Sequence, residues 1–217
     1  MDLIFERMPA TLELVAVAAC LVLCIAIPLG VYAGAYPKRA SSKLIMSGSI
    51  LGISLPSFWV GMMMIYIFAV VLRLLPASGR GNTVMVGNVA LSIFAPGGIR
   101  YVILPAITLA LTNVATMLRL TRSGILENMR QDYIKFARAK GVPAKSILFG
   151  HALKNALIPV VTIFGMDLGN MIAFTTITET IFAWPGMGKL LIDAINKSDR
   201  PITVSYTHLR AHETCAD

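Results

Sequence analysis

Charged side chains are scarce in this sequence, and acidic ones are the scarcest. Charged residues make up 14% of the 217 residues, with 11 Asp and Glu against 19 Lys and Arg. A soluble domain carries about 25% charged residues, whereas this chain is 56% hydrophobic with a mean hydropathy of +0.74. The composition excludes an ordinary soluble globular protein and predicts an integral membrane protein. Lys- and Arg-rich cytoplasmic loops explain the net charge of +8.

The sequence lacks the residues that several functional classes require. There are three cysteines, and Cys20 and Cys24 share one face of an apolar helix with no further ligands nearby, which indicates small buried residues. Neither a disulfide framework nor a metal site is predicted. No basic–aromatic interleaving or base-reading motif is present, so no nucleic-acid partner is expected. Acidic Asp2 and Glu6 replace the basic region of a signal peptide.

The sequence also lacks a complete catalytic or nucleotide-binding motif. Residues 186–189 resemble a fragment of a phosphate-binding loop, but Leu190 replaces the required Ser or Thr and the preceding Gly is missing. His151 is interpreted as a packing or hydrogen-bonding residue. The sequence therefore predicts no catalytic residue and no cofactor bound by this chain.

Four apolar stretches are long enough to cross a bilayer, which takes about 20 residues. They are residues 14–36, 46–72, 101–118 and 155–178. Each is expected to be helical, because lipid cannot satisfy free backbone N–H and C=O groups. Proline lies in or at the end of every stretch, at Pro28, Pro56, Pro105 and Pro159. The kinks that these prolines imply favour a helix bundle with a path through it over a set of plain anchors.

The loop charges predict the orientation of the chain. Residues 119–154 hold eight Lys and Arg against two acids, whereas residues 73–100 hold three basic residues. The positive-inside rule places 37–43 and 119–154 in the cytoplasm, and 73–100 and 179–200 outside. The N-terminus then starts outside, which predicts a missing span before Met1.

The C-terminal tail differs from the rest of the chain. Residues 205–217 are polar and resemble translated sequencing-adapter read-through, so the domain is expected to end at 204. The alternative is a short cytoplasmic tail, although the predicted topology places this segment outside. The ligand-like spacing of His208, His212 and Cys215 is discounted for the same reason.

The basic loop contains a helix–glycine–helix pattern. A helix is predicted from Ile125 to Lys140, followed by a left-handed stop at Gly141 and a second helix that starts at Pro143. Small residues at Ala137, Ala139 and Gly141 would allow close approach by a partner. The alternative is an amphipathic helix that lies on anionic lipid.

The same segment carries a resemblance to a known family. Asp132-Tyr133, Ala137-Arg138-Ala139-Lys140-Gly141, and the run from His151 through Asn155 to Pro159 resemble the coupling loop of ABC importer permeases of the dipeptide, oligopeptide and nickel family. Shorter pieces agree at residues 9–14, 55–59, 74–79, 179–188 and 194–201. The resemblance covers residues 7–204. The generic motif begins Glu-Ala-Ala, where this chain has Lys135-Phe136-Ala137, and this departure does not by itself put coupling in doubt.

The resemblance implies an all-helical type I importer domain in the bacterial inner membrane, truncated at both ends. It implies docking on a cytoplasmic ATPase, a second permease subunit and an extracytoplasmic solute-binding protein, with peptides or nickel as substrate. The implied coupling residues are Asp132, Tyr133, Ala137, Arg138, Ala139, Lys140, Gly141, His151, Asn155 and Pro159.

Polar residues of the fourth span are candidates for the translocation path. Asp167 is the only acid within a predicted span, and such residues mark functional sites by default. Asn170 and Glu179 are further candidates for the translocation path. Helix packing is the alternative role for Asp167, and anchoring of an external loop is the alternative role for Glu179.

Two other functions are alternatives to an importer permease. An ion-coupled secondary transporter needs more acids than Asp167, and a non-transporting membrane adaptor has no need of kinking prolines.

Overall fold

A computed structural model of the chain describes residues 2–87 and 89–196, and most of them are helical. The long helices are α1 (Asp2–Ala35), α4 (Ile99–Asn128) and α7 (Leu153–Ile181). The shorter ones are α2 (Ala40–Ser54), α3 (Ser57–Met64), α5 (Asp132–Ala139), α6 (Ala144–Ser146) and α8 (Met187–Asn196). Two π-helical segments, π1 (Ile65–Val71) and π2 (Ile147–Ala152), continue α3 and α6. Strands β1 (Val84–Val86) and β2 (Val89–Leu91) form an antiparallel hairpin. The predicted helical class is confirmed.

Three described helices are long and apolar enough to cross a membrane: Leu3–Ala35, Ile99–Asn128 and Ala144–Ile181. The broken pair Ala40–Ser54 and Ser57–Val71 has the composition of a fourth span. The predicted single stretch 46–72 is thus two helices. Leu55 (φ −89°, ψ 129°) and Pro56 (φ −60°, ψ 135°) are extended between them, because proline lacks an N–H and disfavours helix in the residue before it.

The described chain divides into two compact units. Within the described residues, one comprises 2–19, 56–87, 89–109 and 168–196, and the other comprises 20–55 and 110–167. We call the first the hairpin unit and the second the loop unit. The predicted tail 205–217 lies outside the described residues.

The loop unit is held together by close helix contacts at glycines. A Cβ on Gly30 of α1 would lie 2.7 Å from Thr121 Cβ, and one on Gly34 would lie 2.7 Å from Ile125 Cβ. On α4, a Cβ on Gly124 would lie 3.1 Å from Ala156 Cβ of α7. Small residues allow membrane helices to approach closely, and van der Waals packing then replaces the missing hydrophobic driving force. The adjoining core is Val31, Ile125, Ala152 and Ala156.

The hairpin unit is organised around a buried carboxylate. Glu13 of α1 accepts hydrogen bonds from the backbone N–H groups of Ser92 and Ile93, both at 2.7 Å, and from Arg80 Nε at 3.0 Å. Arg80 also donates to the Ala90 carbonyl oxygen at 2.6 Å. The Glu13 side chain is 2% exposed and that of Arg80 is 11% exposed. This ion pair therefore fastens the hairpin and the segment after it to α1.

The close contacts at glycines predict that a larger side chain at Gly30 destabilises the loop unit. Gly30→Ala should lower the free energy of unfolding by about 1–3 kcal/mol, because the new methyl group collides with Thr121. Gly48→Ala is the control: a Cβ there would meet nothing within 4 Å, and alanine should add up to about 1 kcal/mol of helix propensity. Thermal and denaturant unfolding in detergent would check both, and an equal response of the two variants would contradict the packing role.

The buried ion pair makes a second prediction. Glu13→Ala should cost about 3–5 kcal/mol of stability, because it leaves the Arg80 guanidinium buried and unpaired. Glu6→Ala removes an exposed carboxylate from the same helix and should change stability by less than about 0.5 kcal/mol. Chemical denaturation followed by circular dichroism would measure the two, and a small loss in Glu13→Ala would disprove the anchoring role.

Candidate functional site

The basic segment between the third and fourth spans begins with a break that the sequence did not predict. The helix expected from Ile125 to Lys140 is wrong: α4 ends at Asn128 and α5 begins at Asp132. Gln131 between them is extended, at φ −67° and ψ 151°. The first turn of α5 contains the acid Asp132, and an acid there is stabilised by the helix dipole. The break makes α5 a separate short helix rather than a continuation of the span.

A tyrosine hydroxyl ties this short helix to both neighbouring spans. Tyr133 of α5 donates to Asn128 Oδ1 at 2.8 Å and accepts from Asn155 Nδ2 of α7 at 3.0 Å. The Asn128 amide donates in turn to the Gly124 carbonyl oxygen at 2.8 Å. We call Asn128, Tyr133 and Asn155 the tyrosine bridge. It joins the last residue of α4, the second of α5 and the third of α7, so α5 is hydrogen-bonded to both spans.

One buried apolar side chain helps to hold α5 in place. Ile134 is 0% exposed and is the buried residue of this helix. Ile134 is not among the residues that the sequence pattern singles out. In the structure Phe136 is 62% exposed. The helix is therefore held by Ile134 and the tyrosine bridge, while Phe136 remains free for contact.

Gly141 turns the chain after α5 as the sequence predicts. Its φ is +78°, in the left-handed region that glycine adopts without steric cost. The Val142 N–H donates to the Ala137 carbonyl oxygen at 3.1 Å, and the Gly141 N–H donates to that of Arg138 at 2.9 Å. This is the Schellman arrangement that closes a helix end. Pro143 (φ −59°) then precedes α6, as expected.

The outer surface of this segment combines aromatic and cationic groups. Phe136 and Phe149 are 62% and 59% exposed, and Lys140 Nζ lies 4.5 Å from the Phe136 ring centroid. Arg138, in the same helix as Phe136, is exposed as well. The one nearby ion pair joins Lys135 Nζ to Asp132 Oδ1 at 2.8 Å, and this ammonium lowers the pKa of the Asp132 carboxyl. Lys135 and Asp132 offset each other, so the charges of Arg138 and Lys140 give this surface a positive excess.

The predicted coupling residues all lie in the loop unit, but only some of them touch. The tyrosine bridge brings together Tyr133 and Asn155, which are 22 residues apart. His151 is exposed within π2, and Pro159 is exposed inside the continuous helix α7. Asn128 was missed, because a lone asparagine at a helix end has no sequence signal beyond its capping preference.

The predicted translocation residues occupy different environments along α7. Asp167 is half-buried and Asn170 is exposed. Glu179 is 0% exposed. Its Oε1 accepts from Thr11 Oγ1 at 2.6 Å and its Oε2 from the Lys189 N–H at 3.0 Å. These contacts belong to the anchoring role considered for Glu179, and the translocation role of the three residues stays a prediction.

Metal ligands are not grouped in the described part of the chain. Within residues 2–87 and 89–196, no three His, Cys, Asp or Glu side chains come close enough to hold an ion. His208, His212 and Cys215 lie outside those residues.

The sequence matches a known family and several named relatives. The sequence model of a family described as "Binding-protein-dependent transport system inner membrane component" matches residues 26–209. The oligopeptide transport system permease protein AppB of Bacillus subtilis is 39% identical over 210 residues, which are 97% of this chain and 65% of that protein. The di/tripeptide transport system permease protein DppB of Pseudomonas aeruginosa is 40% identical over 206 residues, 89% of this chain and 61% of that protein.

A third relative gives the same picture. The probable D,D-dipeptide transport system permease protein DdpB of Escherichia coli is 38% identical over 211 residues, 91% of this chain and 62% of that protein. The chain thus spans less than two thirds of the length of these three relatives.

The tyrosine bridge predicts a specific loss from removing one hydroxyl. Tyr133→Phe should destabilise the loop unit by about 0.5–1.5 kcal/mol, because two hydrogen bonds share that oxygen. Asn155→Ala should add little in the Tyr133→Phe background, since the two residues form one network. Tyr66→Phe removes another exposed hydroxyl, in π1, and is the control. A double-mutant cycle by thermal unfolding in detergent would check this, and strictly additive losses would contradict it.

Proposed function

The chain belongs to the family of binding-protein-dependent transport system inner membrane components, and we propose that it is part of the permease subunit of an ATP-driven peptide importer. The observation that carries the proposal is the short helix α5, fixed to the ends of two spans by the tyrosine bridge. A soluble partner that binds such a helix and moves it would displace the attached membrane helices. The relatives named as peptide permeases support a peptide substrate. The names of these relatives refer to peptides and not to nickel.

A cytoplasmic ATPase subunit is the proposed partner of this segment. The exposed side chains of Phe136 and Phe149 would fill an apolar groove. Arg138 and Lys140 beside them would face an acidic rim, since complementary charges orient an interface. The ATP site and the hydrolysis belong to that partner. Closure of two ATPases would then bias a helix bundle that has two stable arrangements, one open to each side of the membrane.

A second permease subunit and an extracytoplasmic solute-binding protein complete the proposed assembly. Helix α7 supports the former, because it exposes Ile158, Val161, Met166 and Phe174 by 64–70% each. Such an apolar surface suits lipid or a neighbouring membrane helix. The family description itself refers to dependence on a binding protein. An ion-coupled transporter is disfavoured, since Glu13 and Glu179 are buried among protein donors and the four apolar stretches predicted from the sequence hold one acid, Asp167.

The proposal predicts uncoupling by two substitutions in the full-length permease, expressed with its ATPase, second permease and binding protein. Arg138→Glu reverses the charge of the docking surface, and Gly141→Pro cannot adopt φ +78°. Both should abolish ATP-driven uptake of a labelled dipeptide while membrane insertion is retained. Gly48→Ala is the control, because a Cβ there would meet nothing within 4 Å. Wild-type uptake in both variants would refute the docking role.

A further inference from the structure

The segment between the second and third spans carries positive charge without an acid of its own. Residues 73–100 contain Arg73, Arg80 and Arg100 and neither Asp nor Glu. Arg80 is neutralised by Glu13 of α1. For Arg73 and Arg100 no ion pair is found within residues 2–87 and 89–196. Two guanidinium groups therefore stay unpaired in this part of the hairpin unit.

Both arginines line one cleft. Its volume is about 490 Å³, and its wall also includes Leu74, Asn82 and Tyr101. The Tyr101 ring packs on the backbone of Gly81, where an added Cβ would lie 2.7 Å from the ring, and Gly81 has φ +71°. No carboxylate lines the cleft. Like charges that share a cleft repel one another, so an anion bound between them would stabilise the arrangement.

The backbone of Arg73 is strained, which indicates a role for its side chain. Arg73 has φ +52°, and it stands at the end of π1, where the following Leu74 N–H donates back to the Phe68 carbonyl oxygen at 2.9 Å. Glycine is the usual residue at a left-handed helix stop, because other residues are strained there. An arginine in this position gives up backbone stability and places a cation at the cleft. Strained positions of this kind concentrate at functional sites.

The surroundings of the two arginines identify the class of anion. Arg73 follows the end of one apolar helix and Arg100 lies in the first turn of the next, so both stand at a membrane boundary. Exposed apolar side chains adjoin them, with Leu74 62% exposed and Ile99 53% exposed. Arginine binds phosphate through paired N–H donors. We propose that this cleft binds the phosphate of an anionic phospholipid, with the acyl chains along Leu74 and Ile99. The proposal requires insertion in a membrane and not the importer function.

Native mass spectrometry of the purified chain in detergent would test it, with dioleoyl phosphatidylglycerol as the probe. Dioleoyl phosphatidylethanolamine and inorganic phosphate would be titrated in parallel. Phosphatidylglycerol should bind more tightly than either of them. Arg73→Ala/Arg100→Ala should weaken phosphatidylglycerol binding by about tenfold or more. Lys38→Ala/Lys43→Ala removes two exposed cations elsewhere in the chain and should leave the affinity unchanged.

A single substitution separates lipid binding from folding. Arg73→Gly suits the left-handed backbone, so its melting temperature should equal or exceed that of the wild type. Its affinity for phosphatidylglycerol should nevertheless fall. Unchanged affinity in Arg73→Gly and in the double alanine variant would overturn the proposal. Equal binding of the two lipids would also overturn it, and equal binding of inorganic phosphate would replace it with a site for free oxyanions.

Discussion

Close contact between α1, α4 and α7 at glycines is the constraint on which the loop unit depends. Where Gly30, Gly34 and Gly124 lie against their neighbours, any larger side chain would push two helices apart. Within a membrane, helices gain little from hydrophobic burial, and close packing must supply the stability. The tyrosine bridge spans the ends of α4 and α7, so its geometry is inherited from this packing.

The hairpin unit depends on two buried carboxylates. Among the acidic residues whose burial the structure describes, Glu13 and Glu179 are buried, at 5% and 0% exposure. Each accepts hydrogen bonds from backbone N–H groups and from a side chain far away in sequence. Buried carboxylates are tolerated only when such donors replace water. Glu13 therefore fixes the irregular backbone at Ser92 and Ile93, and Glu179 accepts from an N–H group in the first turn of α8.

Part of this architecture was predictable because it follows from local chemistry. Apolar runs predicted the spans inside α1, α4 and α7, and glycine with proline predicted the turn at Gly141. The break between Asn128 and Asp132 was not predictable, since Met129, Arg130 and Gln131 are neither glycine nor proline. The burial of Ile134 and the meeting of Tyr133 with Asn155, 22 residues away, are likewise tertiary. The split at Leu55–Pro56 lies between these cases: Pro56 predicted a kink, and the structure has a full interruption.

The sequence by itself determined that the chain crosses a membrane, which loops carry positive charge and which family it belongs to. These properties reside in composition and in ordered motifs, and they need no knowledge of distant contacts. Only the tertiary structure decided which residues hold α5 in place, that Glu179 is enclosed by protein donors, and that Arg73 and Arg100 share a cleft. Each of these depends on groups far apart in the chain coming within a few ångströms, and side-chain packing and hydrogen-bond geometry select such contacts rather than residue type.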